Sequence, residues 1–357
     1  MMKYQTILIT GGAGFVGSSL AYKFRQTYPK LKIICLDNLK RRGSEINVPK
    51  LKLSGIDFIH GDVRNQEDLS FNTKIDLMIE CSAEPSVLAG VNESPKYLIN
   101  TNLLGAINCL ELARKDKSDF IFLSTSRVYP MEYIEQLNYK ETPTRFVLAK
   151  NQSLPGVSTK GINEDFPLDK PCSLYGGTKL AAEILIREYI NTYSIRGIIN
   201  RCGVLTGPGQ FGKVDQGVVV LWMAKHFFKQ PLSYLGYGGT GKQVRDLLHV
   251  DDLFEALQLQ INSFDQLNGQ IFNLGGGEKN TISLLELTAL CQQITGHKVK
   301  INQVKDQRPN DIRIFMTDST KFRKLTHWQP KKDMNSIISE IYYWISKNQD
   351  QLSQILQ

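Results

Sequence analysis

A glycine-rich turn, Gly11-Gly-Ala-Gly14-Phe-Val-Gly17, follows the apolar run Thr6–Thr10 at once, and nothing else in the chain constrains its fold as strongly. Glycines there let the backbone reverse tightly, approach a ligand closely and pack a helix against the preceding strand. Amides at the helix start then meet a phosphate charge. A second apolar run, Lys32–Asp37, ends in an acid twenty residues after Gly17. A carboxylate at that place accepts hydrogen bonds from both hydroxyls of an adenosine ribose and repels a 2′-phosphate. The expectation is a dinucleotide site that prefers NAD to NADP, with Gly11, Gly14, Phe15, Val16, Gly17, Asp37 and Asn38 contributing. Arg41 and Arg42 follow closely and soften that preference. A glycine turn alone also serves structural tightening, so the reading rests on turn, strand and Asp37 together.

The strand-and-turn unit repeats. Strand-like runs at Thr6–Thr10, Lys32–Asp37, Asp57–His60, Asp76–Glu80 and Phe120–Ser124 are each followed by a turn or helical stretch, and Gly197–Arg201 reads as a further strand. Such alternation predicts an α/β chain with a doubly wound parallel sheet, helices covering both faces. Leu98–Arg114 reads as a crossover helix with Leu103, Ile107, Leu110 and Ala113 on one stripe. The pattern breaks into a polar, proline-containing stretch from about 131 to 173, expected to be a functional loop walling a substrate cleft. Residues 1–206 are expected to form mainly the dinucleotide-binding domain. Residues 207–357, with less regular alternation, are expected to form a smaller α/β lobe.

Composition narrows the function classes. The chain has 357 residues, 41% of them hydrophobic and 22% charged, within the range of a globular protein. Its net charge is +8, yet lysines and arginines are scattered, and Lys40-Arg41-Arg42 is too short for a basic arm. An anionic small-molecule substrate is therefore favoured over nucleic acid. Six separated cysteines form no CxxC pair, and five isolated histidines offer no metal-ligand spacing, so no metal is expected. No apolar run reaches membrane-spanning length and no signal-peptide layout precedes the first strand. A reducing cytoplasm is the expected location.

Tyr175-Gly-Gly-Thr-Lys179 opens a helical segment, and its i,i+4 spacing sets both side chains on one face. By itself such a pair is common surface decoration. Its chemical use is to make a phenolic proton mobile. Free tyrosine titrates near ~10, so bringing it to neutrality takes roughly 4 kcal/mol. One ammonium about 4 Å away at an effective dielectric of ~20 supplies that amount. The hydroxyl-rich segment Leu123-Ser-Thr-Ser-Arg-Val-Tyr129 ends the fifth strand, in the crevice where doubly wound sheets bind ligands.

Together these residues resemble the extended short-chain dehydrogenase/reductase family, the nucleotide-sugar epimerases and dehydratases, with likeness running from Ile7 to about Trp344. The resemblance implies a Rossmann fold, NAD and a nucleotide-sugar substrate, with Thr125, Tyr175 and Lys179 as the catalytic set. It assigns the cofactor Asp62 and Val63, from Gly61-Asp-Val-Arg64, together with Cys81, Ser82, Ala83, Asn102 and Cys202. It assigns the substrate Glu84, Thr125, Gln210 and Gln216. Arg245, in Gly241-Lys-Gln-Val-Arg245-Asp-Leu-Leu-His249-Val-Asp-Asp252, joins them at the diphosphate, with Arg308 and Asp311 from Arg308-Pro-Asn-Asp311. Dehydratases of the family carry Asp-Glu after the catalytic threonine; Ser126-Arg127 stands there instead, which leaves epimerisation. Asp37-Asn-Leu-Lys-Arg-Arg-Gly43, Tyr139-Lys-Glu-Thr-Pro-Thr-Arg145-Phe, Gly209-Gln-Phe211 and Asp215-Gln-Gly217 resemble the branch acting at C2 of a CDP-deoxysugar. A C4 epimerase shares every catalytic residue, and an idle NAD-binding regulator is the alternative of another class. Three departures stand out: Cys81-Ser-Ala-Glu-Pro85 replaces an Ala-Gly loop, Glu80 stands where the family usually has histidine, and Pro130 replaces glycine. The family also implies a homodimer or homotetramer.

Overall fold

The computed structural model describes residues 2–212 and 216–356. The chain forms two compact units. The first comprises the chain up to Val128 with Leu174–Arg201 and Leu253–Phe272, and the second Tyr129–Ser173, Cys202–Asp252 and the chain from Asn273.

The first unit is organised by strands β1 (Thr6–Thr10), β2 (Lys32–Asp37), β3 (Asp57–His60), β4 (Leu77–Glu80), β5 (Asp119–Thr125), β6 (Gly197–Cys202) and β7 (Ile271–Leu274). They lie in one parallel sheet of order β7-β6-β5-β4-β1-β2-β3. β1 pairs with β2 from Thr6↔Lys32 to Thr10↔Leu36, and with β4 from Ile7↔Leu77 to Thr10↔Glu80. Every residue of β1, β4 and β5 is buried, as expected of strands covered on both faces. Leu8, Ile34, Leu36, Met78, Phe120 and Phe122 share one core cluster with residues of two helices: Cys109, Leu110 and Ala113 of α2 (Gly105–Asp116), and Ala182 and Ile186 of α3 (Leu174–Tyr193). The strand order reverses between β1 and β4, which opens a crevice at their carboxyl ends.

The expected crossover helix is interrupted. Lys96–Ile99 is helical, Asn100–Leu104 forms a π-turn, and only then does α2 begin. A π-turn has no signature in apolar spacing, so the helix is not continuous as read; of its stripe Leu110 and Ala113 enter the core and Leu103 packs against it, while Ile107 lies outside that cluster.

In the second unit, the polar stretch between Met131 and Ser173 is not an open loop. It holds a helix, Met131–Glu135, and two short antiparallel hairpins, Tyr139–Glu141 with Phe146–Leu148 and Val157–Ser158 with Gly161–Ile162. Strands of two or three residues are too short to display a two-residue period. Val244–His249 is the centre of a four-stranded sheet, parallel to Val204–Thr206 and Ile314–Phe315 and antiparallel to Thr281–Ser283. Ser283 then caps helix Leu284–Thr295 in a reciprocal box with Glu286, which also holds Arg145 Nε at 2.7 Å. Among the described residues no helix is long and apolar enough to cross a membrane.

The turn after β1 is as tight as its glycines suggest. Gly11 has φ +62°, and a Cβ on Gly17 would lie 2.3 Å from the Gly11 carbonyl oxygen. Gly17→Ala is therefore expected to destabilise the protein by about 1–3 kcal/mol, measured by denaturant unfolding. Stability equal to the parent would mean that the turn relaxes freely.

Candidate active site

The glycine turn delivers α1 (Phe15–Thr27) with its amino end open: Gly14 is the extended N-cap, no side chain caps it, and the first turn carries no acid. Its amides are thus left for an anion. Asp37, last in β2, reaches back to this turn. Its Oδ2 accepts hydrogen bonds from the Ala13 and Gly14 amides at 3.1 and 3.2 Å, and its Oδ1 from Leu39 at 2.7 Å. Burial pushes its carboxyl above the ordinary range, against the pull of those three amides. Asn47, which the sequence did not flag, ties the turn from another side by donating to the Ala13 carbonyl at 2.9 Å.

Asn38 and Asp62 form the next layer. Asn38 Nδ2 donates to Asp62 Oδ2 at 2.8 Å, and Arg64 grips the same carboxylate with Nε and Nη2. Burial works to raise the Asp62 carboxyl, but the Arg64 and Asn38 hydrogen bonds overcome it and hold it at about 2. The Asp62 side chain is therefore charged at any physiological pH. Its neighbour Val63 accepts from Asn108 through its carbonyl at 2.8 Å.

The π-turn places Asn102, which is 1% exposed. Its Oδ1 accepts from the Glu84 amide at 2.8 Å, and its Nδ2 donates to the Glu84 carbonyl and to Thr178 Oγ1. One side chain thus fixes the Cys81–Glu84 segment after β4 and the first turn of α3. Cys81, Ser82, Ala83 and Glu84 are half-buried there, and a Cβ on Gly11 would meet the Cys81 carbonyl oxygen at 2.9 Å. Glu84 Oε1 accepts from the Ser86 amide.

Tyr175 and Lys179 stand in the first turns of α3, both buried. Lys179 is only 2% exposed, and its Nζ lies 3.5 Å from Glu80 Oε2 and 4.1 Å from the centroid of the Phe122 ring. Burial raises the Glu80 carboxyl, opposed chiefly by the Lys179 charge beside it. Thr125 ends β5, and its Oγ1 accepts from the Arg127 amide at 3.2 Å, a bond that does not use the hydroxyl's own proton.

A second buried network backs this group. Glu183, one turn beyond Lys179, receives the Ser124 hydroxyl and a forked bond from Arg201, Nε at 3.0 Å and Nη2 at 2.7 Å. Glu183 was not singled out from sequence, and Glu80 was marked only as standing where the family usually has histidine. Their signals were a charge closing the apolar run Leu77–Glu80, and an acid at i+4 from Lys179.

The remaining residues belong to the second unit. Cys202 is buried at the end of β6. Gln210 spans its own turn, accepting from Thr206 and donating to the Leu205 carbonyl at 3.0 Å. Gln216 is half-buried beside Gly217, and Asp215 of the same segment lies outside the described residues. Arg245 donates to Asp311 Oδ1 at 2.9 Å and to the carbonyls of Val244 and Ile312. The turn Arg308–Asp311 closes through the Asp311 amide and the Arg308 carbonyl at 3.3 Å. Among the described residues no group of three His, Cys, Asp or Glu is arranged to hold a metal ion.

A strand, glycine turn and open helix end beside an acid closing the second strand suit a dinucleotide, and a buried Tyr-Lys pair on one helix, with a threonine ending β5, suits proton transfer at a hydroxyl. These features define an NAD-binding enzyme of the short-chain dehydrogenase kind. The chain belongs to the NAD dependent epimerase/dehydratase family, whose pattern it matches over residues 7–275. It is 30% identical over 353 residues to the CDP-paratose 2-epimerase of Salmonella typhi, covering 95% of this chain and 99% of that one. It is 26% identical to a UDP-glucuronate 4-epimerase of Thermodesulfobacterium geofontis, covering 96% of each. Among solved structures it resembles Pal from Bacillus thuringiensis, with a TM-score of 0.78 and 27% identity over 96% of this chain and 99% of that one.

Two outcomes test these networks. Arg201→Met strands the Glu183 charge in the interior and is expected to cost about 3–5 kcal/mol in denaturant unfolding; a loss below 1 kcal/mol would show that Glu183 needs no partner. Asp246 follows Arg245 and is fully buried; burial lifts its carboxyl from 3.8 to about 6 despite hydrogen bonds from Thr317 and the Gly277 amide. A folded-state value above the unfolded one means its stabilising contribution, about 3 kcal/mol, is complete below pH 4 and lost as pH rises through 6. Asp246→Asn should flatten the fall in melting temperature between pH 4 and 6; an unchanged slope would assign that fall to other groups.

Proposed function

We propose that the protein epimerises a nucleotide-sugar through a transient keto-sugar, and that its substrate is a CDP-deoxysugar inverted at C2. The reading is carried by the arrangement around α3: a buried ammonium and a tyrosine one turn apart on the same helix, with Thr125 at the end of β5. NAD, when bound, supplies the oxidising and reducing equivalents at the sugar carbon. Gly11, Gly14, Phe15, Val16 and Gly17 hold its phosphates, Asp37 and Asn38 its adenosine ribose, and Asp62 and Val63 its adenine; Cys81, Ser82, Ala83, Asn102 and Cys202 complete the pocket.

Tyr175 takes the proton from the sugar hydroxyl as that carbon is oxidised, and gives it back on reduction. Lys179 favours the phenolate by its charge. Thr125 donates its hydroxyl proton to the sugar oxygen. The planar ketone can be reduced on either face, and return to the opposite face gives the epimer. Ser126 and Arg127 follow Thr125 where water elimination would need an acid and a base, so the ketone is reduced rather than dehydrated. Arg245 and Arg308 bind the diphosphate, with Asp311 orienting Arg245. Gln210, Gln216 and Glu84 shape the rest of the substrate site.

Choice of C2 and of CDP rests on the Gln-Phe and Asp-Gln-Gly segments and on the 30% identity to a CDP-paratose 2-epimerase over nearly the whole chain. A C4 epimerase of a UDP-sugar is the second reading, favoured by the 26% identity to a UDP-glucuronate 4-epimerase. Screening CDP-, UDP-, GDP- and dTDP-sugars by NMR identifies the substrate, and deuterium placed at C2 or C4 identifies the carbon. A primary kinetic isotope effect from deuterium at C2 of a CDP-sugar, with none from deuterium at C4, is expected; turnover of UDP-sugars alone would replace this reading by the second. Tyr175→Phe should lower kcat by about 10²–10⁴-fold with the fold intact, and near-parental turnover would remove Tyr175 from the mechanism.

A further inference from the structure

We propose that Glu80 is a positioning residue, whose carboxylate fixes the Lys179 ammonium and sets how strongly it favours the Tyr175 phenolate. The inference rests on the roles given above to Tyr175 and Lys179. Glu80 closes β4, a strand otherwise made of Leu, Met and Ile, and its side chain and that of Lys179 are each 2% exposed. An ammonium on a four-carbon stem gains nothing from such a dry place unless a countercharge meets it. Glu80 Oε2 is 3.5 Å from Nζ, and the Phe122 ring faces the same atom at 4.1 Å. Thr10, which ends β1, and the Ser82 amide just beyond β4 favour the charged carboxylate from the other side. Lys179 is therefore clamped by β4 and β5 together.

Position is gained at the expense of field. A negative charge beside the ammonium cancels part of its effect at Tyr175, so Glu80 leaves the phenol less acidic than Lys179 alone would make it. The titratable groups that face Glu80 are Lys179 from α3 and Cys109 from α2, and burial pushes the Cys109 thiol far up, so it stays neutral. Glutamine at position 80 keeps shape and one acceptor oxygen while removing the charge.

The test is the tyrosinate absorbance of the full-length protein against pH, each variant minus the same variant carrying Tyr175→Phe. Lys179→Met should move the Tyr175 midpoint up by more than one pH unit. Glu80→Gln should move it down by about one, and Glu80→Asp, which keeps the charge, should leave it near the parent. A Glu80→Gln midpoint equal to the parent's, with Lys179→Met shifted, overturns the role of Glu80 and leaves the Tyr-Lys reading standing. A Lys179→Met midpoint equal to the parent's overturns both. If Glu80→Gln does not fold by circular dichroism, Thr10→Val replaces it; by weakening the carboxylate it should give a smaller downward shift, and no shift overturns the proposal.

Discussion

A parallel sheet covered on both faces has no room for unpaired charge along its strands, and the site depends on that constraint. β1, β4 and β5 are buried at every position, and their polar side chains lie at the strand ends or next to them. Asp37, Glu80 and Thr125 are each the last residue of a strand. The chemistry is thus gathered at one rim by the economy of the core, and reversal of strand order between β1 and β4 opens that rim.

Most of this architecture was legible because the strands are short apolar runs with sharp ends. Thr6–Thr10, Lys32–Asp37 and Asp57–His60 read from sequence with the bounds they have in the fold, while Asp76–Glu80 differs by one residue at one end and Phe120–Ser124 by one at each end. What was not legible has physical causes. The π-turn at Asn100–Leu104 changes the residues per turn without changing composition, so a 3.6-residue stripe runs through it unmarked. The hairpins between Tyr139 and Ile162 are too short to show alternation, and their polar residues resemble a loop.

The candidate site divides in the same way. Tyr175, Lys179 and Asp37 announce themselves by spacing from local landmarks. Glu80, Ser124, Glu183 and Arg201 act through partners 18 to 99 positions away, which spacing cannot reveal. Asn102 is intermediate: its place on the crossover segment was readable, but not that one amide would tie the Glu84 backbone to Thr178.

Lys179 and Glu183 sit one turn apart on α3, yet they bond to different strands. Lys179 meets Glu80 at the end of β4, while Glu183 meets Ser124 on β5 and Arg201 on β6. Apolar contacts such as Ala182 and Ile186 hold the helix down but tolerate sliding, because one methyl group packs much like another. Charged pairs do not: a shift of a single residue along α3 would leave two buried charges unmatched, and each mismatch costs more than the pair contributes. The polar contacts therefore set register rather than stability. Register is what the proton transfer proposed for Tyr175 needs, since Tyr175 belongs to the same helix and Thr125 directly follows Ser124. Fixing Glu183 to Ser124 thereby relates Tyr175 to Thr125 through two bonded neighbours instead of through a loop.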